Sequence, residues 1–397
     1  MKNKVCIGIV GAGYASILHC EGYQRVHGAE IILKTISDVS EERAKQIKNK
    51  FNFITYTTDY EEMLKDDEID VIDICTPPML HKEMIIKALK AGKHIICEKP
   101  LLGYFGKEGD IAPIGRNVSK EKMYQTVLEE LNELEEIVKA SDKNLMYAEN
   151  FVYAPNIQKA LEIMKAKNSK LLFLKGEESL RGSSSSAAGE WAGTGGGSLM
   201  RVGCHPLTGI LYLKEEEAKY RNTTIEIESV TADVGQITSR VNSEELKYHT
   251  IKTNDVEDFA NITITFTDGS KAIVMASDTV LGGTKNYIEI YTNNTSFICN
   301  LTPIDTLNVY MLDDNGMENI KFSEMLPTAI GWNKAFVSDE VIRGYTDELQ
   351  DFINAIVEKR QAYSNFKIAA DTIRVIYAAY VSAETGKNIY LIRKKEL

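Results

Sequence analysis

A chain of 397 residues exceeds the ~250–300 residues at which single cores stop growing, so two domains are expected. Its apolar share of 44% and charged share of 26% are those of an ordinary globular protein. With 46 basic against 57 acidic side chains, a net charge of -11, no cationic stripe is available for a nucleic-acid backbone. Six scattered cysteines, Cys6, Cys20, Cys75, Cys97, Cys204 and Cys299, form no C-x-x-C pair. That pattern predicts reduced thiols and a cytoplasmic location. The N-terminus runs straight into a strand that ends at glycine, so no leader is expected. No apolar run reaches the roughly 20 residues of a membrane span.

In chain order, Val5 to Val10 reads as a buried parallel strand, followed by a helix from about Ala15 to Arg25. Strands at Ile31 to Ile36, Val71 to Cys75 and Ile95 to Cys97 alternate with helices at Glu41 to Lys50, Tyr60 to Leu64 and Glu83 to Lys90. This alternation predicts βαβ units in a doubly wound, parallel α/β sheet of Rossmann type. Leu102 to Asn117 holds four glycines and a proline and reads as an inserted loop. A charged helix from Ser119 to Ser141 and a strand at Leu145 to Ala148 close the first domain, 1–148, with its insert at about 102–118. The remainder, 149–397, forms the second domain. Ile225 to Thr238, Phe259 to Thr267, Lys271 to Thr279, Tyr287 to Thr292 and Ser296 to Cys299 read as strands of a large, mostly antiparallel open sheet. Thr267-Asp268-Gly269-Ser270 is a hairpin turn, and Asp347 to Arg360 and Ile368 to Glu384 are terminal amphipathic helices. An open sheet needs burial somewhere, which predicts a homodimer or homotetramer through it.

Gly8-Ile9-Val10-Gly11-Ala12-Gly13-Tyr14-Ala15-Ser16 follows a strand and opens a helix. Gly11 permits the tight turn, and Gly13 lets the backbone approach a pyrophosphate held at the helix N-terminus. Asp38, at the end of the second strand, offers a carboxylate to the ribose hydroxyls and repels a 2′-phosphate, which predicts NAD over NADP. Its competing role is a helix cap. The histidines show no metal-ligand spacing, so no metal is expected.

At Glu98-Lys99-Pro100-Leu101 the sequence resembles the glucose-fructose oxidoreductase / inositol dehydrogenase / rhizopine-catabolism (Gfo/Idh/MocA) family. Thr76-Pro77 with His81, Glu149-Asn150 with Tyr153, Gly195-Gly196-Gly197 and Gly203-Cys204-His205 follow in family order. The resemblance implies hydride transfer between a ring carbinol of a sugar or glycoside, C3 of a glucoside among them, and the nicotinamide of NAD. It implies that Lys99 polarises the reacting oxygen and that His205 is the general base. It places Tyr14, Ala15, Thr76, Pro77, His81, Glu98, Lys99 and Asn150 beside Gly11, Gly13 and Asp38 around the cofactor, and allows a cis bond at Pro100.

The family carries an aspartate four residues before the histidine; here that position is Arg201. An arginine can grip a substrate carboxylate, phosphate or hydroxyls, or pair with a nearby acid. Tyr153, Arg181, Trp191 and Trp332 are further candidates for the substrate, with Asp278 and Tyr345 as lesser ones, and Thr208 replaces a common acidic residue. Two alternatives stay open: a sugar- and NAD-binding sensor without turnover, and a glycosidase acting by oxidation and elimination.

Overall fold

The computed structural model describes residues 3–392 apart from 184, 252, 303–306, 314, 316–329 and 335–339. Two compact units are present: Met1–Ala154 with Ala192–Gly195 and Gly344–Tyr377, and Pro155–Trp191 with Gly196–Arg343 and Ala378–Leu397.

The first unit runs β1 (Asn3–Val10), α1 (Tyr14–Tyr23), β2 (Ala29–Ser37), α2 (Glu41–Phe51), β3 (Thr55–Thr57), α3 (Tyr60–Leu64), β4 (Val71–Ile74), α4 (His81–Lys90), β5 (His94–Glu98), α5 (Ile114–Asn117), α6 (Lys120–Lys139) and β6 (Leu145–Ala148). Its six strands lie in the order β3-β2-β1-β4-β5-β6, all parallel. This is the doubly wound order whose ligand crevice lies at the carboxyl ends of the strands. Val5, Ile7, Ile9, Ile72, Ile74, Ile95 and Ile96 are buried, as the unbroken apolar runs require of a sheet covered on both faces.

The expected boundary at 148 needs correction for the chain's end. α11 (Tyr345–Val357) and α12 (Phe366–Thr385) were expected in the second domain, yet Gly344–Tyr377 clusters with the first unit. The cause is local packing. Gly22 of α1 has no side chain, and Leu349 Cδ1 occupies the space, 2.5 Å from where a Cβ would stand. Phe352 meets Tyr153 edge-on at 5.7 Å between ring centroids.

The segment expected as an inserted loop is tied down in the same unit. Leu102 and Tyr104 are buried. The Tyr377 hydroxyl accepts from the Tyr104 N–H (2.5 Å) and donates to the Gly195 carbonyl (2.7 Å). Asp110 accepts from the Tyr104 hydroxyl and the Lys107 N–H and pairs with Lys122 at 2.6 Å.

The second unit holds α7 (Pro155–Ala166), β7 (Leu171–Ser179), α9 (Cys204–Arg221), β8 (Ile227–Gly235), β9 (Phe259–Phe266), β10 (Lys271–Ser277), β11 (Lys285–Thr292), β12 (Ser296–Asn300), α10 (Glu340–Arg343) and β15 (Ile389–Tyr390), with a short α8 (Trp191–Thr194) at the unit boundary. Seven strands form one sheet, β12-β11-β7-β10-β9-β8-β15. Every neighbouring pair is antiparallel except β10 with β7. Gly269, at φ 85°, makes the tight turn between β9 and β10. One face of the sheet lies under α9: a Cβ on Gly176 would stand 2.8 Å from Pro206 Cβ. On the opposite face Phe173 and Tyr291 stack at 5.8 Å. β13 (Asn308–Met311) and β14 (Gly331–Lys334) form a separate ribbon.

Candidate active site

In the first unit the cofactor candidates gather at the carboxyl edge of the parallel sheet, because each follows the end of a strand. Gly11 follows β1 at φ 98°, and a Cβ there would sit 2.5 Å from the Cys75 carbonyl oxygen. Only glycine fits. Gly13 caps α1 without a side chain, and nothing lies within 4 Å of where its Cβ would be. An oxygen-rich ligand can therefore approach the free N–H groups of the helix start. Tyr14 is exposed and Ala15 half-buried on that first turn. Ser16, in the third glycine position, is buried and donates to the Gly13 carbonyl at 2.8 Å.

Asp38 ends β2 and is buried. Its Oδ2 accepts the Ala12 N–H at 2.8 Å, and its Oδ1 accepts from the Ser40 N–H (2.8 Å) and the Arg43 guanidinium (2.9 Å). The cap of α2 is Ser40, not Asp38. So the aspartate braces the glycine turn as well as standing where a ribose would lie, a role its position in the sequence did not announce. These residues fit a dinucleotide: an open glycine turn, a helix start and a carboxylate at the next strand end.

His81 joins two further motifs. Its Nε2 lies 2.9 Å from the Thr76 carbonyl and its Nδ1 2.9 Å from the Pro100 carbonyl. Burial drives its pKa down against the pull of those carbonyls. Pro77 caps the short turn between them. The Lys99–Pro100 bond is cis, as the resemblance allows. Lys99 is half-buried, and its N–H donates to Glu98 Oε2 at 3.0 Å. Glu149 and Asn150 follow β6 and are both buried.

Beneath this edge lies a polar network that the sequence did not reveal. The His19 ring reaches Asp73 through Nδ1 (2.8 Å), and its Nε2 lies 3.2 Å from Glu98 Oε1. The Tyr23 hydroxyl also donates to Asp73, at 2.8 Å. Desolvation opposes charge on His19, but Asp73 and Cys75 outweigh it and raise the imidazole pKa well above its usual value. Glu348 of α11 is buried with neither carboxyl oxygen hydrogen-bonded among the described residues. Burial pushes its pKa well above the usual range, His19 pulls the other way, and Glu98, Glu149 and Asp73 add to the rise. His19, Asp73 and Cys75 bring ligand-type atoms within 4.8 Å of one another, although no spacing in the sequence suggested it. Burial raises the Cys75 pKa far above its usual value, and a protonated thiol is a poor ligand.

In the second unit a π-helical turn, Leu199–Gly203, leads directly into α9. Glu257 anchors it, accepting from the Gly197 N–H (2.7 Å), the Leu199 N–H (2.9 Å) and the Tyr380 hydroxyl (2.9 Å). Gly197 is required there, since a Cβ would meet the Glu257 carbonyl oxygen at 1.9 Å. Burial lifts the Glu257 carboxyl to about 7 against those hydrogen bonds. His205, buried, stands at the second position of α9.

Several substrate candidates take other roles. Arg201 is paired with the buried Asp278, so the acid-pairing alternative describes its contacts. Tyr153 is core: its hydroxyl donates to Asp351 and accepts from the Ser364 N–H. Trp191 is also core, 4.8 Å from the Tyr380 ring, with its backbone N–H donating to Asp255. Trp332 is 77% exposed on the β13–β14 ribbon, beside Tyr310. Thr208 is buried and donates to the Cys204 carbonyl one turn back. The Arg181 carbonyl accepts the Thr250 N–H, and its buried Nε has no hydrogen-bond partner among the described residues. Tyr345 begins α11 in the first unit.

Residues 5–105 match the model of an oxidoreductase family with an NAD-binding Rossmann fold, and residues 176–298 match the C-terminal domain model of the same family. Together the two spans cover more than half of the chain.

The chain belongs to the Gfo/Idh/MocA family.

Its first domain therefore has the NAD-binding Rossmann fold of that oxidoreductase family, as the glycine turn and Asp38 indicated. This Gfo/Idh/MocA chain is 31% identical over 122 residues to myo-inositol 2-dehydrogenase of Thermotoga maritima, covering 31% of this chain and 34% of that one. It is 37% identical over 101 residues to levoglucosan dehydrogenase of Pseudarthrobacter phenanthrenivorans, covering 24% and 26%. The matched stretch thus spans about a quarter to a third of the length of these curated relatives. Whole-chain likeness appears in solved structures. GenD2 from gentamicin A biosynthesis, in complex with NAD, superposes with a TM-score of 0.77 at 20% identity, over 98% of this chain and 97% of that one. Levoglucosan dehydrogenase with NADH and levoglucosan gives 0.71 at 22% identity, over 98% and 100%. At these identities the likeness concerns the fold. Among the described residues no helix is long and apolar enough to cross a membrane.

Proposed function

We propose that the protein oxidises a ring carbinol of a sugar, polyol or glycoside with NAD, with C3 of a glucoside as the finer candidate. The observation that carries this is the gathering of Gly11, Asp38, Thr76 and the Glu98-Lys99-Pro100 turn at one carboxyl edge of a parallel sheet. Bound NAD supplies the hydride acceptor. In this reading Lys99 stabilises charge developing on the substrate oxygen, while Glu98 accepts its backbone N–H and His81 holds the neighbouring Pro100 carbonyl. His205, at the start of α9, takes the proton. The relatives named as inositol and levoglucosan dehydrogenases support a small polyhydroxy substrate. NADH formation from NAD and such a compound is the direct test, with the sensor reading favoured if none forms.

The outward face of the second-unit sheet, with Leu172, Tyr291 and Ile298 exposed, is proposed as the homo-oligomer surface. Sedimentation of a dimer or tetramer supports this, and a monomer at working concentration removes it.

A further inference from the structure

The helix-covered face of the second-unit sheet carries two buried polar side chains with unmet hydrogen bonds. Glu178 of β7 and Asn286 of β11 are each 4% exposed and stand opposite one another in the register of the two strands. Glu178 Oε2 and both Asn286 side-chain heteroatoms have no hydrogen-bond partner among the described residues. Their place follows from strand alternation. Gly176, two residues before Glu178, faces Pro206. Ala276, beside Glu178 in the parallel register with β10, meets Gly203: a Cβ there would lie 2.9 Å from Ala276 Cβ. Gly203 and Pro206 bracket His205 in the sequence, so the pair lies on the stretch of sheet that this segment covers. Glu177 points to the other face and is neutralised by Lys285 at 2.7 Å.

Burying a carboxylate and an amide without partners is costly, and native folds keep such groups where a ligand or water completes them. A carboxylate accepts a hydrogen bond from a hydroxyl, and an amide both donates and accepts. Adjacent hydroxyls on one ring meet both needs. Charge narrows the class further. Arg201 is paired with Asp278, and Glu178 repels anions. We propose that Glu178 and Asn286 form a subsite for adjacent hydroxyls of a polyhydroxy substrate that bears no carboxylate or phosphate. This rests on the dehydrogenase reading above and specifies its substrate.

The experiment measures ligand binding by calorimetry on the NADH-loaded full chain. The probes are myo-inositol, methyl glucosides and the uronic acid counterparts of those glucosides, with NADH formation from NAD followed separately. Glu178→Gln keeps the side-chain shape, and Asn286→Ala removes the amide; thermal melts confirm that each variant is folded. The best neutral probe is expected to bind at least about tenfold more tightly than its acidic counterpart, and each variant to weaken it by about tenfold or more. A deoxy analogue lacking one contacted hydroxyl should lose much less from the variants. Tighter binding of the acidic probe, unchanged binding in both variants, or no binding from the panel overturns the subsite. Variant-sensitive binding without NADH formation keeps the subsite and removes only the dehydrogenase reading.

Discussion

At the scale of single residues, the cofactor edge depends on what each carboxylate holds. Asp38 keeps the Ala12 N–H and the Arg43 guanidinium at once. Asp38→Ser should weaken NAD binding by about tenfold or more and free Arg43, 56% exposed, to meet a 2′-phosphate. NADP preference should rise in that variant and fall back when Arg43→Ala is added. Fluorescence titration of both cofactors measures it, and an unchanged NADP affinity in Asp38→Ser would show that Arg43 cannot reach the phosphate. Gly11, Asp38 and Lys99 were legible because each sits in a local pattern with one physical purpose. His19 was not, since its partners Asp73 and Glu98 stand 54 and 79 positions along the chain and meet only once β4 and β5 pair. Arg201 was half legible: its spacing to His205 marked it, but Asp278 lies 77 positions away.

At the scale of elements, Glu257 ties the glycine run to the π-helical turn that precedes His205. Its folded carboxyl, near 7, stands above the ordinary glutamate value of 4.5, so the folded state binds the proton more tightly than the unfolded one. The stability this contributes is complete below about 4.5 and is lost as pH rises toward 7, up to about 3 kcal/mol. Thermal melts from pH 4.5 to 7 should show that loss in the wild type and a flatter profile in Glu257→Gln; parallel profiles would sink the assignment. The pattern of strands and helices in the first unit was readable because buried parallel strands are continuous apolar runs. β7 was missed because Lys175, Glu177 and Glu178 interrupt its apolar character, one of them to fill a subsite. α9 was missed because His205-Pro206 and Gly209 lower helix propensity and because it is buried nearly all round, leaving no polar stripe to read. α7 carried a usable signal: Ile157, Ala160, Leu161 and Met164 repeat at helical spacing behind Pro155.

At the scale of the whole molecule, an NAD-binding domain with a doubly wound sheet and a second part with an open, mostly antiparallel sheet were visible from the order of motifs. The return of α11 to the first unit was not, since it depends on Leu349 filling the space over Gly22, a contact 327 positions apart that no local pattern encodes. The chain's chemistry is the claim on which the rest depends. Stopped-flow recording of NADH from NAD and a panel of neutral polyols and glycosides, with wild type and Lys99→Ala compared, addresses it most directly. NADH should form with at least one compound, and Lys99→Ala should slow it about a hundredfold or more while NAD still binds. No NADH from any compound by a chain that binds NAD, or full turnover by Lys99→Ala, would contradict it.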